Sequence, residues 1–104
     1  MKLNLKYAEG EWFNFKDDAK VKIRMFPTSK WYLLNVDNFT GEDLELIFIE
    51  CVLDWDGFVD MEDNKIECTK ENKKLMLDSF TPLVNFVIEK QNEIREKFEE
   101  SIKN

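Results

Sequence analysis

The sequence predicts an α+β fold: an N-terminal antiparallel β-meander packed on a buried central helix, then a small hairpin and two C-terminal helices. Three observations predict it. Apolar and polar residues alternate with period two through much of the first 27 residues, as in half-buried strands. From Leu44 to Trp55 the apolar residues recur at helical spacing instead. Helix-start signals at Thr69 and at Thr81-Pro82 then divide the remaining chain. A length of 104 residues with 43% apolar side chains predicts one domain with its own core, running from 1 to 104.

The elements follow in order. Leu3, Leu5 and Tyr7 alternate with Lys2, Asn4 and Lys6, which predicts a first strand. Trp12-Phe13-Asn14-Phe15 is an aromatic second strand, and Val21, Ile23 and Met25 form a third, closed by Pro27. Turn signals at 8–11 and 16–19 join these three into a meander over 1–27. Residues 28–39 admit two readings, a short helix capped by Ser29 or a fourth strand, with a loop from Asn35 to Phe39. Thr40 starts the central helix, predicted over 40–55, with Glu42 and Asp43 at its positive end. Its apolar residues cover most of the circumference, so it is expected to be buried. Asp56-Gly57 ends it, and 56–68 reads as a hairpin or an extended loop of that shape. Thr69 caps the next helix, with Leu75, Met76 and Phe80 inward. Thr81 caps the last, with Pro82 in its first turn, where a missing N–H costs nothing.

Composition narrows the chemistry. The chain has no histidine, which removes Ser-His-Asp, Cys-His and His-ligated metal arrangements. Its three glycines are too dispersed for a phosphate-binding loop or a dinucleotide fingerprint. Cys51 and Cys68 are read as free thiols acting as small hydrophobes. No stretch has the length of a membrane span, and the first residues lack the apolar core of a secretory leader. The net charge is −7, with +3 over residues 1–36 and −10 over 37–104. Such a chain repels phosphate backbones and suits a protein partner better than nucleic acid.

The acids from Asp54 to Asp63 invite a calcium loop, but Lys65 falls where the loop needs glycine, and the alternative register puts Phe58 at a ligand position. No carboxylate pair stands out for glycoside chemistry. Lys20, Lys22 and Arg24 read as a solvated, edge-protecting face in preference to an anion site. No cofactor, metal or catalytic residue is therefore assigned. In the last helix the apolar residues thin to Ile94, Phe98 and Ile102, at i, i+4 and i+8 among charged neighbours. That stripe either packs back on the domain or docks on another chain.

The segment Cys51-Val52-Leu53-Asp54-Trp55-Asp56-Gly57-Phe58-Val59 carries an acidic-Trp-x-Gly turn. Ile66-Glu67-Cys68-Thr69 with Glu71-Asn72, then Thr81-Pro82-Leu83-Val84 and Phe86-Val87-Ile88, complete the pattern. It resembles the small tail assembly chaperones of long-tailed bacteriophages and prophages, and Trp12-Phe13 and Val21-Lys22-Ile23-Arg24 are similar to the family's opening. Asn64 stands where the family's hairpin turn has glycine. The resemblance implies a non-enzymatic role in the host cytoplasm. Such proteins coat the aggregation-prone tape measure protein, help recruit tail tube subunits and leave before the virion is complete.

The expected contact residues are Ile94, Phe98 and Ile102, with Trp31 and Tyr32 as a second patch; self-association would multiply weak contacts. Trp55, Gly57, Thr69 and Pro82 are expected to be structural. The rival reading is an acidic nucleic-acid mimic that inhibits a host nuclease or restriction system. Against it, Lys70, Lys73, Lys74, Lys90, Arg95 and Lys97 interrupt the acids.

Overall fold

A strand with an apolar face and unpaired backbone groups needs neighbours on both sides, and here one of them comes from the middle of the chain. The computed structural model describes residues 1–35 and 37–103; Val36, placed by the sequence in a loop, and Asn104 lie outside the described residues. Strands β1 (Glu11–Asn14), β2 (Lys20–Ile23) and β3 (Val52–Asp56) form one antiparallel sheet in the order β1-β2-β3. Helices α1 (Lys6–Glu9), α2 (Gly41–Cys51), α3 (Lys70–Ser79) and α4 (Thr81–Ser101) complete it, with a 3-10 helix at Thr28–Leu33. The fold is α+β, but the sheet is assembled differently from the expected meander.

The first predicted strand does not form. Asn4 Oδ1 accepts the Lys6 N–H at 3.1 Å, an Asx turn that starts the single turn of α1. Leu3 and Leu5 are left exposed, and of the alternating trio Tyr7 alone is buried. Tyr7 is held by its carbonyl, which accepts the Met25 N–H at 2.9 Å, and by its ring, set edge-on to Phe98 at 5.8 Å.

The central helix is also shorter than its periodicity predicts. It stops at Cys51, and the next residues run directly into β3. The pairs Val21–Trp55 and Lys22–Asp54, then Ile23–Val52, leave Leu53 as a bulge. Sheet pairing with β2 overrides a helical pattern that local sequence alone would continue. The helix is also less enclosed than predicted: Phe48 and Cys51 are fully buried, whereas Leu44, Leu46, Ile47 and Ile49 are partly so.

Phe13, Val21 and Trp55 share one row across the sheet, and Trp12, Lys22 and Asp54 the opposite-facing row. The first row faces α4. Phe15 meets Phe86 edge-on at 5.1 Å, and Lys90 lies 5.8 Å from the Phe13 ring centre. From α4, Leu83, Val84, Val87 and Ile94 enter the core beside Val21, Ile23, Phe26, Phe48 and Val52.

The structural residues behave as their chemistry requires. Trp55 is 3% exposed and donates its indole N–H to the Ile66 carbonyl at 2.7 Å, so the 57–69 segment is tied to β3. Gly57 takes φ +90°, open to glycine, and lies against the 17–18 turn. Thr69 Oγ1 accepts the Asn72 N–H at 3.1 Å. Thr81 is the first residue of α4, not its cap, and Phe80 takes the cap position, with Pro82 still in the first turn. Asp56 belongs to β3; residues 57–68 form an extended loop closed by one bridge, Val59–Lys65, and its positive-φ residue other than glycine is Asp63, not Asn64. Leu75 faces outward; Met76 and Leu77 take the inward positions, with Phe80 packed at the core's edge.

Candidate functional site

The expected seam on α4 is divided by the packing. Ile94 is 3% exposed, a core residue that no partner reaches, so its reading as a contact is corrected. Phe98 is half-buried against Tyr7. Ile102, one residue beyond α4, is exposed. Phe98 and Ile102 meet Leu3 and Leu5 around an open groove of about 320 Å³. The stripe therefore packs back on the domain over most of its length, the first of the two readings left open.

The second patch is on the surface. Of the two readings left open for residues 28–39, the short helix forms, as a 3-10 helix over Thr28–Leu33 capped by Pro27 and not Ser29, with none of its residues buried. Pro27 fixes an extended entry, and four consecutive apolar residues, Trp31 to Leu34, cannot all turn inward on so short a helix. Tyr32 is 81% exposed; Trp31, Leu33 and Phe39 are each about half exposed.

This segment borders α2. Asp43 fixes the junction: one carboxylate oxygen accepts the Asn35 N–H at 2.9 Å, and the other accepts the Thr40 N–H at 2.8 Å. Those backbone donors hold the Asp43 carboxyl below its ordinary value. Beside it lies a groove of about 430 Å³, lined by Leu33, Leu46 and Glu42 among others. A second groove of about 350 Å³ continues past Leu46 and Ile49 toward Lys70 and Lys74 of α3. Its floor is apolar and its rim charged, with Lys74 Nζ paired to Glu45 at 3.0 Å.

The Lys20–Arg24 face holds no cluster of free cations. Lys20 lies 5.0 Å from the Trp12 ring centre, and Arg24 is engaged by Glu50 at 3.0 Å. Glu50, in the last turn of α2, has a side chain only 19% exposed. Lys30 Nζ reaches its other oxygen at 2.6 Å, and that hydrogen bond is the main cause of the lowered Glu50 pKa. Asp60, in the acidic loop, accepts the Asn64 and Glu62 N–H groups, at 3.0 and 2.8 Å, and is lowered by them. Each of these carboxylates serves as a local anchor. Burial pushes the free Cys51 thiol up to about 12 and the Cys68 thiol to about 11, so both are protonated at neutral pH.

Sequence reasoning missed Leu33, exposed next to Trp31 and Tyr32, and Leu46, which shares a groove with it. The unbroken run Trp31-Tyr32-Leu33-Leu34 was the available signal, since it fits neither strand nor helix periodicity. Among the described residues, no helix is long and apolar enough to cross a membrane. No protein-family model, curated protein or solved structure matches this chain.

Proposed function

We propose that this protein is a non-enzymatic assembly chaperone of a long-tailed phage or prophage, acting in the bacterial cytoplasm on a tape measure or tail tube protein. The observation that carries the reading is the exposed aromatic surface at Trp31 and Tyr32, continued by Leu33 into the groove along α2 that Leu46 and Glu42 also line. A protein that shields long apolar helices needs accessible apolar side chains on a charged, soluble body. The contact set is accordingly Trp31 and Tyr32, with Ile102 as an outlying member and Phe98 only at its groove edge. The reading also draws on the resemblance of residues 51–88 to the tail chaperone family.

The nucleic-acid-mimic reading has less support, because Lys74 and Lys90 pair with Glu45 and Glu93 and break up the acidic surface. The test is affinity capture of the tagged protein from source cells after prophage induction, with protein identification by mass spectrometry. Recovery of a very long helical tail protein, lost in the Trp31→Ser/Tyr32→Ser double variant, supports the chaperone. Recovery of a nuclease or restriction subunit without tail proteins overturns it.

A further inference from the structure

The 3-10 helix that carries the aromatic surface is held by side chains. Its backbone bonds are internal: the Lys30 N–H donates to Pro27 at 3.0 Å and the Leu34 N–H to Trp31 at 2.9 Å. Among the described residues, no backbone hydrogen bond joins residues 28–34 to another element. Leu34 alone of this segment packs against the core. A 3-10 helix of this length has little stability of its own.

Two fasteners hold it from outside. Glu50 sits at the end of α2 and is fixed twice by Arg24 of the segment following β2: Arg24 Nη2 donates to its carboxylate at 3.0 Å, and Arg24 Nε donates to its backbone carbonyl at 2.7 Å. The second carboxylate oxygen is thereby presented to Lys30 at 2.6 Å. The other fastener is Arg95 of α4. Its guanidinium lies 4.2 Å from the Trp31 ring centre and donates to the Phe26 carbonyl at 3.3 Å. Both fasteners act through a cation, and both are anchored on the rigid body. The backbone is extended on either side, at Pro27 and Leu34.

We propose that residues 28–34 form an electrostatically latched strap, with the Glu50–Lys30 pair as its latch, which opens as a unit while the sheet and α4 stay folded. Opening frees Trp31 and Tyr32 to reorient together. The strap carries the aromatics of the proposed contact surface, but the latch does not depend on that reading, and its test contains no partner.

The test is limited chymotrypsin cleavage, which counts transient openings when reclosing is fast. Trp31, Tyr32 and Leu33 are the sites read, in wild type, Glu50→Gln and Lys30→Met. Lys30→Met removes the strap's half of the latch and leaves Arg24–Glu50 intact. Both variants are expected to cleave about fivefold faster within 31–33, with cleavage after Phe48 and Phe86 unchanged. In 1 M NaCl the wild type approaches the Lys30→Met rate. Unchanged cleavage at 31–33 in Lys30→Met overturns the latch. Equal acceleration at Phe48 and Phe86 also overturns it, because the pair then supports the whole domain.

Discussion

Gly57→Ala should be among the most damaging single substitutions outside the core, and its size follows from the geometry. Gly57 sits at φ +90°, where a residue with a Cβ costs roughly 1–2 kcal/mol. The added Cβ would lie 2.8 Å from Ala19 Cα and 2.9 Å from the Asp18 carbonyl oxygen. Both are backbone atoms, so no rotamer change relieves the contact, and crowding of this kind adds about 1–3 kcal/mol. The sum is about 3 kcal/mol, a large share of a typical domain's stability, and lowers Tm by roughly 15 °C. Gly41→Ala is the control. Nothing lies within 4 Å of its Cβ position, and it opens α2. Alanine there should raise stability by about 0.5 kcal/mol through lost freedom of the unfolded chain. Urea and thermal melts of both variants give the comparison. A Gly57→Ala protein melting within about 3 °C of wild type would refute the tight packing of the exit turn on the 17–18 turn.

Other outcomes follow from neighbouring features. Asp17 and Asp18 are both left-handed, at φ 48° and 67°, so Asp17→Asn with Asp18→Gly should shift the urea midpoint upward by about 0.5–1 kcal/mol of stability. The Glu50 carboxyl is held below its ordinary 4.5, so its stabilising effect is complete above that pH and is lost as pH falls through the lowered folded value. Strap opening, read by hydrogen exchange of the Leu34 amide, should be more frequent in Glu50→Gln than in wild type at neutral pH and alike in acid; a constant difference would deny the ion pair its role. Phe98→Asp should cost about 2–4 kcal/mol, since it buries a carboxylate against Tyr7, whereas Ile102→Asp should stay within about 0.5 kcal/mol by denaturant titration. Similar losses for the two would contradict the division of the α4 stripe between core and surface.

The legible part of the fold was set by local chemistry. Helix starts at Thr40, Thr69 and Thr81-Pro82 were readable to within a residue, because caps and first-turn proline act over three or four positions. The β1–β2 hairpin was readable from alternation and from its turn. What failed depended on distant partners. Val52–Asp56 is a strand because β2 needs a neighbour, and a helical apolar pattern masked it. Leu3 and Leu5 alternate correctly but find no strand to pair with. At the candidate site, Trp31 and Tyr32 lie on the surface, while burial of Ile94 could not be told from the stripe it belongs to. Glu50 was invisible as an anchor, since its two cations lie 20 and 26 residues away in sequence.

The placement of β3 has a consequence for how the molecule comes into being. Its pairing closes a loop from Ile23 to Val52, and the inner face of the hairpin awaits α4 as well. Chain closure over that span is entropically modest but must precede the contacts that reward it. During synthesis the aromatic side of the first hairpin therefore emerges from the ribosome long before the residues that cover it. The interval between Phe13 and Phe86 leaving the exit tunnel is the period of greatest vulnerability to self-association, and shortening the 28–51 connection would narrow only its first part.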